Sequence, residues 1–101
     1  MQKQDVISAL AALAHETRLD VFRALVRAGE VGCSPGELSG SLSIPPATLS
    51  FHLKELKNAR LVSVERRGRS LLYRADFAAM SEVLGYLGEN CCQTGSCGAA
   101  R

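Results

Sequence analysis

Ser34-Pro35-Gly36-Glu37-Leu38-Ser39-Gly40-Ser41-Leu42-Ser43-Ile44-Pro45-Pro46-Ala47-Thr48-Leu49-Ser50-Phe51-His52-Leu53-Lys54-Glu55-Leu56 is the stretch on which the fold turns. Ser34 offers a cap hydroxyl, Pro35 takes the first helical position, where its missing N–H costs nothing, and Glu37 completes a capping box. The helix so opened is short and carries Leu38 and Leu42. Ser43-Ile44-Pro45 makes a turn, Pro46 can start the next helix, and Leu49, Leu53 and Leu56 supply its buried stripe. Two short helices across a tight turn form a helix-turn-helix.

On the N-terminal side, Val6, Ile7, Leu10 and Leu13 follow helical spacing with Ala9, Ala11 and Ala12 between them, which predicts a first helix over residues 6–13. A second runs from about Glu16 to Ala28 on Leu19, Phe22, Leu25 and Val26, with Gly29 as its stop. On the C-terminal side the period changes after Ala59 from helical to alternating. Val62 and Val64, then Leu72 and Arg74, flank Arg66-Arg67-Gly68-Arg69-Ser70, the pattern of a β-hairpin with a basic, glycine-bearing tip. Asp76 caps a final helix with Phe77, Met80, Leu84 and Leu87 on one face, ending at Gly88 or Asn90. The expected fold is mainly α with a β-hairpin wing (α+β), a winged helix-turn-helix over residues 1–90, followed by a flexible cysteine-containing tail, 91–101.

With 101 residues, 47% of them apolar, the chain can bury one modest core. No apolar run approaches the roughly 20 residues that span a bilayer, and Met1-Gln2-Lys3-Gln4-Asp5 lacks a signal peptide's basic and apolar regions, so a cytoplasmic address without a membrane partner is expected. Thiols stay reduced there, and four cysteines then read as metal-binding or redox-active rather than as a disulfide framework. The net charge is only +2, yet Lys54, Lys57, Arg60, Arg66, Arg67, Arg69 and Arg74 face only Glu55 and Glu65 within one segment. Charge alone leaves two readings level, a solvated surface and a phosphate-tracking patch. An enzyme is not expected: the chain has no nucleotide-binding glycine loop, no C-x-x-C opening a helix and no base poised beside a cysteine.

The second helix of a helix-turn-helix lies in the major groove with its N-terminal residues at base edges. With Leu49, Leu53 and Leu56 inward, Ala47, Thr48, Phe51 and Lys54 point outward, flanked by Ser50 and His52. Thr48 can reach a base edge, Phe51 can touch a thymine methyl or instead pack under the wing, and Lys54 suits phosphate. His52 either contributes to this surface or is a flank histidine, bonded to its own backbone or solvated. Arg66, Arg67 and Arg69 add always-charged contacts with the DNA backbone or minor groove, which makes binding salt-dependent.

On these residues the chain resembles the ArsR/SmtB family of bacterial metalloregulatory repressors. Leu13-Ala-His-Glu-Thr-Arg-Leu19 is similar to the family's helix-two opening, and Ala47-Thr-Leu-Ser-Phe-His-Leu-Lys-Glu-Leu56 to its recognition helix. The likeness spans roughly residues 5–90. It implies a homodimer joined through the first and last helices, which binds double-stranded operator DNA with an inverted repeat and lets go when a metal or metalloid binds. Two departures stand out. Where many members have Cys-Val-Cys-Asp-Leu at the third helix, this chain has Ser34-Pro35-Gly36-Glu37-Leu38, and Cys33 just before it reads as a small, partly buried thiol. The final helix has no histidine and only Asp76, Glu82 and Glu89 as acidic groups, so the family's zinc site there is not expected.

What remains is Cys91-Cys92-Gln-Thr-Gly-Ser-Cys97, which looks like the C-terminal arsenic(III) site of one branch of the family. Thiolates favour soft ions; As(III) takes three sulfurs in a pyramid, and Sb(III) follows the same logic. Zinc wants four ligands and is not expected. The residues between Cys92 and Cys97 have ample reach, and Gly95 allows a sharp bend. Redox sensing is the rival. Adjacent Cα atoms about 3.8 Å apart fall below the usual disulfide range of roughly 4.4–6.8 Å, although a bond to Cys97 meets no such bar. The helix C-terminus preceding the cluster disfavours thiolate. The resemblance therefore implies a repressor released by As(III) or Sb(III) at Cys91, Cys92 and Cys97, controlling an arsenic resistance operon. The alternative is a thiol-based redox-sensing or other metal-sensing repressor of the same fold.

Overall fold

The computed structural model describes residues 1–93 and 95. In chain order the elements are α1 (Lys3–Leu13), α2 (Glu16–Ala28), a 3-10 turn (Gly29–Val31), α3 (Pro35–Leu42), α4 (Pro46–Asn58), β1 (Val62–Arg67), β2 (Ser70–Ala75) and α5 (Phe77–Gly88). This is the expected winged helix-turn-helix. The first helix begins three residues before the apolar pattern does, because Asp5 accepts a hydrogen bond from the Gln2 N–H and caps an earlier start.

Local signals set the other boundaries. The Ser34 hydroxyl accepts from the Glu37 N–H and the Glu37 carboxylate accepts from the Ser34 N–H, closing the capping box. That bonding also holds the Glu37 carboxyl below its ordinary pKa. Ser43 ends α3 in the left-handed region (φ 55°). Ser39 then ties the turn, donating its hydroxyl to the Ile44 carbonyl and accepting the Ile44 N–H on its own carbonyl. The crossing of α3 and α4 is thus set within ten residues of sequence.

The core gathers Val21, Phe22 and Leu25 of α2, Leu38 of α3, Leu49, Leu53 and Leu56 of α4, and Leu61 and Val62 leading into the wing. Three faces differ from the periodicity reading. On α1, Val6 and Ala9 go inward while Ile7 and Leu10 stay exposed; on α2, Leu19 is exposed and Val21 is buried. On α5, Ala79 and Val83 are buried and Phe77 and Met80 pack against the core, while Leu84 and Leu87 are 62% and 60% exposed. Helices α1 and α5 each carry apolar residues on more than one side. The domain core takes one side, and the other is left at the surface.

The wing is a two-stranded antiparallel sheet with Val62 opposite Ala75 and Arg67 opposite Ser70. Gly68 and Arg69 form its two-residue turn. Only Gly68 has a positive φ (60°), the backbone pattern that a II′ hairpin turn requires of its first central residue. The base of the wing is pinned by Cys33, whose N–H donates to the Tyr73 carbonyl at 2.9 Å and whose carbonyl accepts the Tyr73 N–H at 2.8 Å. Burial first, and the nearby Glu37 carboxylate second, push the Cys33 thiol pKa up. Gly32 makes this approach possible: at φ 70° and ψ −173° it sits where side chains are strained, and a Cβ there would lie 2.6 Å from the Tyr73 carbonyl oxygen. Gly32→Ala should therefore destabilise the fold by about 3 kcal/mol, combining backbone strain with overpacking. Urea denaturation reads this directly, and a loss below about 1 kcal/mol would mean that the loop relaxes freely.

Candidate nucleic-acid interface

The sequence sets up α4 to present one face outward, since Leu49, Leu53 and Leu56 commit the other to the core. Ala47, Thr48, Ser50, Phe51 and Lys54 are all exposed, and Phe51 is 55% exposed rather than tucked under the wing. Arg66, Arg67 and Arg69 are exposed at the tip of the hairpin that follows α4 directly. Helix and wing thus offer small polar, aromatic and basic groups of the kinds that meet base edges and phosphates.

His52 departs from the expectation. It is only 5% exposed and belongs to the buried side of α4, so it is withdrawn from the set of direct DNA contacts. The reason is spacing: positions 49, 52, 53 and 56 together make the i, i+3, i+4, i+7 stripe of a core-facing helix. That spacing is legible in the sequence, although the residue at position 52 is polar. The imidazole lies 4.8 Å, centroid to centroid, from that of His15, which caps α2 by accepting the Thr17 N–H. Phe51 meets the other side of His52 edge-on at 5.4 Å.

Burial, then the charges of His15 and Arg18, push the His52 pKa below the ordinary histidine range, with Glu55 opposing. The proton binds the unfolded chain more readily than the folded one. His52 therefore stabilises the fold fully above the unfolded value of about 6.5, and that contribution is lost as pH falls through the lower folded value. Thermal melts between pH 8 and pH 5 should show this acid-side fall, and His52→Gln should flatten it. An unchanged pH slope in that variant would assign the fall to other groups.

The wing's charges are partly compensated. Glu65 accepts from Arg74 Nη1 at 2.8 Å and from Arg67 Nε at 3.2 Å, and Arg74 Nε also donates to the Glu30 carbonyl at 2.7 Å. Arg74 and Arg67, in that order, hold the Glu65 carboxyl below its usual range. Among the described residues no ion pair engages Arg66 or Arg69. Arg74, part of the basic run in the sequence, braces β2 against the 3-10 turn. Arg18, part of the Leu13–Leu19 motif, donates from Nε to the Ala12 carbonyl at 2.7 Å.

After the wing, α5 stops at Gly88 and a turn carries Cys91 and Cys92 to the surface. Their sulfur atoms lie close together, with Cα atoms 3.8 Å apart, the short spacing expected of neighbouring residues. Cys97 lies outside the described residues. Among the described residues no helix is long and apolar enough to cross a membrane.

A family described as "Helix-turn-helix domain" matches residues 13–65, more than half of the chain. The uncharacterised HTH-type transcriptional regulator YdfF of Bacillus subtilis (strain 168) is 51% identical over 39 residues, 39% of this chain and 17% of that protein. The match thus spans well under two thirds of that relative. An ArsR-like transcriptional regulator from Rhodococcus sp. RHA1 superposes with a TM-score of 0.75 at 28% identity, over 83% of this chain and 76% of its own. The antimony-specific transcriptional repressor AntR superposes with a TM-score of 0.66 at 27% identity, over 83% and 75%. The chain belongs to the helix-turn-helix domain family, and its fold is similar to that of ArsR-like winged-helix transcriptional regulators.

Proposed function

We propose that this regulator acts in the cytoplasm as a homodimeric repressor that binds an operator inverted repeat and is released by trivalent arsenic or antimony. The observation that carries the reading is the presence of two distinct chemistries on one chain. The exposed face of α4 and the arginine tip offer a DNA-reading surface, and a vicinal cysteine pair stands just past α5. Dimerisation through the first and last helices is supported by their unpartnered apolar side chains, Ile7 and Leu10 on α1 and Leu84 and Leu87 on α5. A two-fold dimer would present its two α4 helices to half-sites about one helical turn apart, 10 to 10.5 bp.

In this reading residues 1–90 form the DNA-binding and dimerising domain and 91–101 the sensing tail. Cys91, Cys92 and Cys97 would hold the metalloid as thiolates, which suit a soft trivalent ion. Zinc is not expected to act, because three sulfurs leave its fourth position unfilled by protein. The likeness to an antimony-specific repressor supports a pnictogen ligand. Thr48, Ser50, Phe51 and Lys54 would read the groove while Arg66, Arg67 and Arg69 track phosphate. Capture at the tail would pull on the end of α5 and change the spacing or rigidity of the two α4 helices. The regulated genes would include arsenic resistance functions.

The test is a titration of arsenite, under reducing conditions, into the dimer bound to a fluorescent fragment of the DNA upstream of its gene, with zinc and peroxide in parallel. Arsenite should weaken binding about 5- to 150-fold, the range of ordinary allosteric couplings. Serine at Cys91, Cys92 or Cys97 should abolish that response and spare DNA binding. Release by zinc or peroxide alone would move the sensor to another metal or to thiol redox chemistry.

A further inference from the structure

Helices α1 and α4 approach each other beside a cleft of about 390 Å³ whose walls include Ser8, Ala11 and Ala12 of α1, Arg18 of α2, and Glu55 and Asn58 of α4. Close side-chain packing does not fill this gap. What crosses it is the Arg18 guanidinium, with Nε on the Ala12 carbonyl at 2.7 Å and Nη1 3.5 Å from His52 Nδ1. A guanidinium only donates, so His52 Nδ1 accepts in the neutral tautomer that carries its proton on Nε2. His52 is buried on the inner side of α4, and its neighbour Phe51 is on the exposed face, in edge contact with the same imidazole. A continuous series of contacts therefore runs from the C-terminal end of α1, through Arg18 and His52, to a side chain on the DNA-facing surface.

We propose that Arg18 is the positioning residue of the DNA-reading helix: through Ala12 and His52 it sets how α4 sits relative to α1, and hence how α4 enters the groove. It touches no DNA itself. This rests on α4 being the DNA-reading helix, as proposed above, but not on the identity of the inducer. Arg18 also supplies a physical link between a helix assigned to dimerisation and the reader, so a change at the dimer seam reaches α4 through a specific polar contact. Lysine cannot replace it, because a single ammonium cannot serve the carbonyl and the imidazole in the same fork geometry.

The experiment is a double-mutant cycle on the full chain with Arg18→Gln, His52→Gln and the pair, plus Arg18→Lys as the conservative variant. Operator and scrambled duplexes are titrated by fluorescence anisotropy at pH 7.5, with thermal melts to establish that each variant is folded. Each single substitution should lower operator affinity about 10-fold and leave scrambled-duplex affinity within about twofold, and the pair should lose no more than the worse single. Arg18→Lys should behave as Arg18→Gln. Three results would each overturn the proposal: additive losses in the pair, equal losses on scrambled DNA, or operator affinity unchanged in folded variants. If the wild-type chain bound neither duplex, the DNA-reading assignment of α4 itself would fall, a result distinct from the other three.

Discussion

Replacing Arg66, Arg67 and Arg69 together with alanine should lower affinity for DNA roughly 100-fold near 0.15 M salt, and should do so for operator and unrelated sequences alike. The physical reason is counterion release. If each arginine neutralises one phosphate, losing three contacts reduces the slope of log affinity against log salt by about 2.7. The three side chains are exposed at the end of a rigid hairpin, and the fold does not depend on them for its core. Melting temperature should therefore stay within a few degrees of wild type. Arg67 is expected to contribute least of the three, because it must leave Glu65 before it can meet DNA. A salt series of anisotropy titrations decides the matter. An unchanged slope would remove the wing from the interface and return the basic run to the status of a solvated surface.

Leu25→Ala should be the most damaging single substitution to stability, at about 2–5 kcal/mol. Leu25 is 0% exposed and lies in the C-terminal half of α2, the helix that packs on α1, α3, α4 and the wing strand β2. Its truncation removes transfer free energy and leaves a cavity whose walls belong to several elements, so no single element can shift to fill it. For a domain of this size each kcal/mol moves the melting temperature by roughly 4–8 °C, which predicts a fall of at least about 10 °C. Since small domains have only about 5–15 kcal/mol to lose, DNA binding at 37 °C should fall with it. A shift under 5 °C would show that the core repacks around the gap. Leu19→Ala, by contrast, alters an exposed position of the same helix and should change stability of the monomeric fold little.

The two interfaces differ in how they could be read. The outward set on α4 follows from its leucine stripe and the basic set from the hairpin tip, and eight of the nine candidate side chains are exposed: Ala47, Thr48, Ser50, Phe51 and Lys54 on the helix, Arg66, Arg67 and Arg69 on the wing. The ninth, His52, is buried because position 52 shares the core-facing stripe of 49, 53 and 56. It packs beside Arg18 of α2 and His15, the cap of that helix, both more than thirty residues earlier in the chain. The sulfur cluster was visible as a composition anomaly, and the structure adds that Cys91 and Cys92 turn their sulfurs to each other.

Sequence by itself determined where each element begins and ends, because those decisions are made between residues at most a few positions apart. The Ser34–Glu37 capping box, the Pro46 start, the Asp76 cap, the Gly29 stop and the Gly68 turn all appear where they were expected. Only the tertiary structure decided which side of an element faces the core. Helices α1 and α5 are apolar on more than one side, so periodicity alone could not choose Val6 over Ile7 or Val83 over Leu84; the choice was made by the shape of the surface that α2 and α4 present. The same holds for the polar contacts that steady the reader and the wing, Arg18 with His52 and Arg74 with Glu30. Their partners lie 34 and 44 residues away and meet only after the chain has closed around its core.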